Sequence, residues 1–226
     1  MKKVAILQSN YIPWKGYFDL IAAVDEFIIY DDMQFTKNDW RNRNKLKTPT
    51  GSKWLTVPVG QNISRRIRDV EILSHGWQDK HWKSLIANYG RAPYFDFVTS
   101  WLMPLYLKER HSNLSAMNRQ FLEVICKVLD INTRISNNWD YQLIEGKTER
   151  LVSICQQASA AEYISGPAAR SYLDDILFAS SGIKVTWFDY AGYPEYPQLW
   201  GPFEHGVSIL DLLFNCGPDA RKFMKR

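Results

Sequence analysis

Val4-Ala5-Ile6-Leu7 is an unbroken apolar run cut off by Gln8-Ser9-Asn10, and Phe27-Ile28-Ile29-Tyr30 is a second one, cut off by Asp31-Asp32. Apolar runs without alternation are the pattern of strands buried on both faces of a parallel sheet. Between them, Gly16 to Ala23 carries helix-compatible apolar spacing, which predicts a strand-helix-strand unit with a right-handed crossover. Trp54-Leu55-Thr56-Val57-Pro58-Val59 and Ile67 to Ile72 read as shorter strands, and the proline and the alternation assign them to a peripheral hairpin. From about residue 79 to 130 the period lengthens: Trp82 to Tyr89, Tyr94 to Leu107 and Leu114 to Leu129 are amphipathic at helical spacing, a helical insertion. Alternation of types then returns, with a helix from about Lys147 to Ser159, a strand Glu162 to Ile164, a helix Pro167 to Ser180, a strand Ile183 to Phe188 and a last helix around Val207 to Phe214. Gly192 to Gly206, rich in Pro, Gly and Tyr, reads as a long loop. The whole predicts one α/β domain over residues 1–226, with a Rossmann-like, mostly parallel sheet, helices on both faces and a central helical insertion.

Composition narrows the class. With 226 residues, 46% hydrophobic and 23% charged, the chain matches an ordinary globular protein and excludes disordered, fibrous and membrane-spanning classes. The balance of 28 basic and 24 acidic residues is too even to argue for a nucleic-acid partner. Cys126, Cys155 and Cys216 lie far apart, as reduced thiols do, and the short apolar run after Met1-Lys2-Lys3 is no signal peptide, so a cytoplasmic protein without membrane insertion is expected. A chain of this length buries enough surface to fold without a cofactor, and none is expected. Aromatics make up 14% of the chain, including nine Trp, many beside Pro, Gly or Asn. Rings in such loops either fill the core at corners or line concave sites where they stack on sugars and bases.

In open α/β sheets ligands bind beyond the carboxyl ends of the strands, and the residues that follow each strand here are strongly polar. After the first come Gln8, Asn10, Tyr11, Trp14 and Gly16: amides for paired hydrogen bonds, rings for stacking and a glycine at the helix start. A tight proline loop whose amides merely cap the helix is the alternative. After the second come Asp31, Asp32 and Gln34; adjacent residues of an extended chain face opposite ways, so one acid faces a crevice, and Asp32 is the candidate base, with Gln34 beside it. Trp40-Arg41-Asn42-Arg43-Asn44 alternates guanidinium and amide, suited to phosphate or carboxylate, with a solvated, charge-balanced loop as the rival. Tyr163-Ile164-Ser165-Gly166-Pro167 followed by Arg170 reads as a strand leading into a helix whose free N–H groups hold an anion, or as a plain Ser165 cap. His81 beside Trp82 is a second candidate acid or base. His75 and His81 are six apart with no Cys between them, so no metal site is expected. Motifs for serine hydrolases, P-loop enzymes and dinucleotide-binding enzymes do not occur.

Gln8-Ser9-Asn10-Tyr11-Ile12-Pro13-Trp14-Lys15-Gly16-Tyr17-Phe18, Asp32-Met33-Gln34-Phe35 with Trp40-Arg41-Asn42-Arg43-Asn44, Trp54 to Val59, Tyr163-Ile164-Ser165-Gly166, and Leu210-Asp211-Leu212-Leu213-Phe214-Asn215 with Gly217 together resemble the WbqC-like protein family across essentially the whole chain. One position departs: the family commonly has Pro after the first Gln, where this chain has Ser9. The resemblance implies a setting among bacterial O-antigen and other surface-polysaccharide enzymes, and work on nucleotide-linked or amino sugars. A second, architectural resemblance is to nucleotidyltransferases with a late Ile-Ser-x-x-x-x-Arg signature, matched by Ile164, Ser165 and Arg170. The histidines of their early signature are absent here, where Lys15-Gly16-Tyr17-Phe18 stands, so a shared fold would not bring shared chemistry.

Two functions follow as expectations. One is a transferase that adds an acyl or aminoacyl group to a nucleotide-linked amino sugar, with Asp32 or His81 as base and an acyl-carrier protein or a second copy of the chain as candidate partner. The other is a non-catalytic module that holds a nucleotide-sugar or glycan in the same cleft; a divergent nucleotidyltransferase-like enzyme is a third variant.

Overall fold

The computed structural model describes residues 1–73 and 76–225, so His75 lies outside the described residues. Strands and helices are numbered along the chain. β1 (Lys3–Leu7), β2 (Glu26–Ile29), β5 (Arg134–Asn137), β6 (Glu162–Ser165) and β7 (Lys184–Trp187) form one sheet in the order β5-β2-β1-β6-β7. Every pairing in it is parallel, with Ala5 opposite Phe27 and Lys3 opposite Glu162. The period-2 alternation of the strands sorts their side chains into two cores. Val4, Ile6 and Ile28 pack with Leu151, Ile154, Cys155 and Phe178 on one face, while Ala5, Phe27 and Ile29 pack with Phe18, Ile21, Phe121 and Ile125 on the other. α1 (Lys15–Ala22), α4 (Leu114–Val128) and α7 (Ile209–Cys216) thus cover one face, and α5 (Thr148–Gln157) and α6 (Asp175–Ser180) the other. This is the Rossmann-like arrangement expected. The chain leaves central β1 toward β2 and later returns to β6 on its other side, which opens a crevice beyond Leu7 and Ser165.

The helical stretch contains α2 (Trp77–Tyr89), α3 (Phe95–Leu107) and α4, close to the predicted spans. Asn113 starts α4 by accepting a hydrogen bond from the Ala116 N–H at 2.9 Å. Two expectations need correction, and one strand is additional. The hairpin is β3 (Arg43–Thr48) with β4 (Gly51–Thr56), whereas Ile67–Asp69 is a single 3-10 turn. Pro49-Thr50 turns the hairpin, and Gly51 takes the positive φ of 112° that closes it. The helix predicted from Pro167 to Ser180 is a 3-10 turn, Pro167–Ser171, followed by α6, because the Asp174 carboxylate accepts from the N–H groups of Ile176 and Leu177 and starts a new helix. Edge strand β5 is additional; it is short and largely polar.

Candidate functional site

The loop that follows β1 is held from three sides. Asp31, fully buried, accepts hydrogen bonds from Ser9 N–H (2.8 Å), Ser9 Oγ (2.6 Å) and Ser115 Oγ on α4 (2.6 Å). Burial pushes the Asp31 carboxyl up from its ordinary range, and these donors pull against it. Asn118, also on α4, donates to Ser9 Oγ at 3.1 Å and to the Arg41 carbonyl at 2.9 Å. From β3, the Asn44 side-chain N–H group donates to the carbonyls of Tyr11 and Ile12, each at 3.0 Å. Ile12 is fully buried at a positive φ of 37°, a strained conformation for a β-branched residue, and the Asn44 staple holds it there.

On this frame sits Arg41, whose guanidinium donates to both Gln8 Oε1 and Asn10 Oδ1. The two amides it joins line different cavities. Gln8 lines a cavity of about 610 Å³ at the carboxyl edge of the sheet, together with Tyr30, Lys147, Arg150, Tyr163 and Tyr172. Asn10 lines one of about 320 Å³, walled by Pro13, Trp14 and Trp40 and closed by Asn44, His205 and Gly206. Arg41 lines neither cavity itself; its guanidinium links one side chain of each. The larger cavity carries two cations, the smaller mostly rings, with His205 the one titratable side chain among the described residues that line it.

His205 is presented by the loop after β7. That loop is tied down by Lys15 Nζ, which donates to the Pro194 carbonyl at 2.8 Å with the rings of Tyr193 and Tyr196 5.1 Å away, and by Lys47 Nζ on the Pro202 carbonyl. Burial lowers the Lys15 ammonium from its ordinary value. Gln198 brackets Glu204 by donating to its carbonyl and accepting from its N–H, both at 2.9 Å, and the Phe203 ring meets His205 edge-on at 4.6 Å.

Of the candidates read from sequence, Gln8, Asn10, Trp14, Trp40, Arg41 and Asn44 come together here. The others lie elsewhere. Tyr11 is fully buried, so its ring is not open for stacking; its hydroxyl meets His81 Nδ1 at 2.9 Å and the Tyr106 hydroxyl. His81 is enclosed by Trp77 and Tyr106 instead of facing a cleft, with Nε2 3.2 Å from the Thr56 carbonyl, and burial lowers its pKa to about 4. Asp31 is taken up by Ser9 and Ser115, and Asp32 turns to Arg66 (2.8 Å) and Arg68 (3.1 Å) and lines neither cavity. Gln34 is exposed, its side-chain N–H on the Ile63 carbonyl at 3.3 Å, Asn42 is buried with its side-chain N–H on the Val57 carbonyl at 2.9 Å, and Arg43 lies on the outer face of the hairpin. Ser165 is buried, Gly166 opens only a five-residue 3-10 turn, and Arg170 stacks over Trp187 at 5.3 Å. Sequence reasoning missed His205, Tyr30, Lys147 and Arg150; Gly146-Lys147 opening a helix with Arg150 one turn on was the available signal.

The family model of the WbqC-like protein family matches residues 8–223, beginning at the glutamine that opens this loop. The chain belongs to the WbqC-like family. It is 58% identical to an uncharacterized protein of Mycobacterium tuberculosis over 227 aligned positions, covering all of this chain and 98% of that protein. No solved structure matches. For a WbqC-like protein the matched span takes in Arg41, the smaller cavity and the lining of the larger one apart from Ile6 and Leu7. Among the described residues, no helix is long and apolar enough to cross a membrane.

Proposed function

We propose that this WbqC-like protein is a transferase of surface-polysaccharide (O-antigen) synthesis that adds an acyl or aminoacyl group to the amine of a nucleotide-linked amino sugar. The observation that carries the reading is the Arg41 guanidinium joining Gln8 of one cavity to Asn10 of the other. A nucleotide diphosphate suits the larger cavity, where Lys147 and Arg150 meet phosphate and Tyr30 and Tyr172 offer rings. The sugar then passes Arg41 and lies against Trp14 and Trp40, with Asn10 as its hydrogen-bonding partner. The base in this reading is His205 rather than Asp32 or His81, since it is the titratable group open to the smaller cavity. The sugar nitrogen attacks the acyl carbonyl, His205 takes the proton that nitrogen gives up, and the leaving group departs with the electron pair of the broken bond.

The reading predicts that a panel of nucleotide-linked amino sugars contains one that raises the melting temperature with a concentration dependence set by its Kd. With that compound, His205→Gln is expected to keep binding within about threefold and to lose roughly 10²–10⁴ in turnover. Unchanged turnover removes His205 from the chemistry. Stabilisation by glycans but by none of the nucleotides favours a glycan-holding module instead.

A further inference from the structure

The β3–β4 hairpin presents two faces. Leu46 and Leu55 are buried in the core, whereas register pairs Lys45 with Trp54 and Arg43 with Thr56, which sets Arg43, Lys45 and Trp54 on the opposite face. Trp54 is 38% exposed and Trp40 is 42% exposed, with ring centroids 5.2 Å apart, a large apolar surface to leave in water. The Arg43 guanidinium lies 4.1 Å from the Trp54 ring and Lys45 Nζ lies 5.3 Å from it. Residues 43–56 contain four basic and no acidic side chains. Among the described residues, no carboxylate pairs with Arg43, Lys45 or Lys53. Arg43 donates to the Asn38 carbonyl and its charge helps hold the Asp39 carboxyl below its ordinary range, so it is partly occupied, whereas Lys45 beside the exposed indoles makes no ion pair among the described residues; such a strip is suited to a flat ring that carries phosphate. Trp40 belongs to both places: it neighbours Trp54 and it lines the cavity with His205.

We infer that the acyl donor is a thioester carried on an adenine nucleotide, of the coenzyme A type, whose nucleotide end seats on Trp54, Trp40, Arg43 and Lys45 while its arm runs past Trp40 into the smaller cavity. The inference rests on the transferase reading above and names its second substrate. The chemistry balances: the carbon–nitrogen bond forms as the thioester carbon–sulfur bond breaks. Sulfur leaves with the electron pair, and the proton lost by the nitrogen passes through His205 to the sulfur.

Isothermal titration of the full chain with coenzyme A tests this. Expected is saturable binding that weakens at least tenfold in Trp54→Ala and in the Arg43→Ala/Lys45→Ala double variant, with Lys53→Ala closer to wild type. Trp54 and Lys53 are exposed and Arg43 and Lys45 half-buried, and circular dichroism verifies that each variant folds. No binding of coenzyme A, or equal binding by wild type and Trp54→Ala, overturns the inference. Phosphopantetheine binding as tightly as coenzyme A overturns the adenine seat, and uridine diphosphate displacing coenzyme A reassigns the strip to the sugar nucleotide. The two readings fail separately. Loss of coenzyme A binding in Trp54→Ala, with no nucleotide-sugar bound at all, retains the hairpin site and removes the transferase; nucleotide-sugar stabilisation without coenzyme A binding does the reverse.

Discussion

Ser9 gives Asp31 two hydrogen bonds, one from its N–H and one from its hydroxyl, and accepts one from Asn118. Removing the hydroxyl leaves that carboxylate oxygen with Ser115 alone, inside a site closed to water. Ser9→Ala is therefore expected to cost about 2 kcal/mol, a melting temperature lower by roughly 4–8 °C in a chain of this size. An unchanged melting temperature would mean that Asp31 does not anchor the loop. His81 carries a pH signature. Its partners fix the neutral tautomer: the Thr56 carbonyl only accepts, so Nε2 carries the proton and Nδ1 accepts from Tyr11. With the folded pKa lowered to about 4 against an ordinary value of 6.5, the unfolded chain takes up the proton first. This contribution to stability is complete above pH 6.5 and is lost as pH falls toward 4. Histidine NMR is expected to show His81 neutral down to pH 5; titration near 6.5 would contradict its burial. The guanidinium-amide alternation around Arg41 was legible in the sequence, as was the polarity of Gln8 and Asn10. That Tyr11 and His81 close on each other was not, because it depends on where α2 and α3 pack.

At the scale of elements, the loop that carries His205 depends on Asp211. This buried carboxylate in α7 accepts from Tyr89 (2.9 Å), Tyr196 (2.7 Å) and Gln198 (2.7 Å), and burial pushes its pKa up. Tyr196 and Gln198 belong to the loop, so Asp211 pins it to α7 and, through Tyr89, to α2. Asp211→Ala is expected to speed limited proteolysis within residues 192–206 about tenfold, since opening the loop no longer breaks charge-assisted bonds. Equal cleavage of the variant and wild type would show that Lys15 and Lys47 suffice. The unbroken apolar runs identified β1 and β2, and helical periodicity identified α4, but β3 escaped because Arg43-Asn44-Lys45-Leu46-Lys47-Thr48 reads as solvated chain. Its inward residues are Asn44 and Leu46, and the amide is spent on the first loop instead of on water.

Over the whole molecule, sheet order brings distant segments to one rim. Central β1 delivers Gln8 and Asn10, the chain after β2 brings Tyr30 and Arg41, α5 and the residue that caps it bring Arg150 and Lys147, and the loop after β7 brings His205. Five parallel strands with a switch point between β1 and β6 make such convergence general for this architecture. The family span from residue 8 to 223 covers all of these contributors. Which strand ends would share a cavity was not legible from sequence, because Ser165 ends a strand of the same sheet yet is buried, and Arg170 beyond it turns toward Trp187. That the two cavities act as one cleft around Arg41 is tested by a crystal structure with the nucleotide-linked amino sugar that stabilises the protein most. Expected are phosphate at Lys147 and Arg150, the sugar against Trp14 and Trp40, and its amine facing His205. A ligand seated away from both cavities, or confined to one without reaching Arg41, would contradict it.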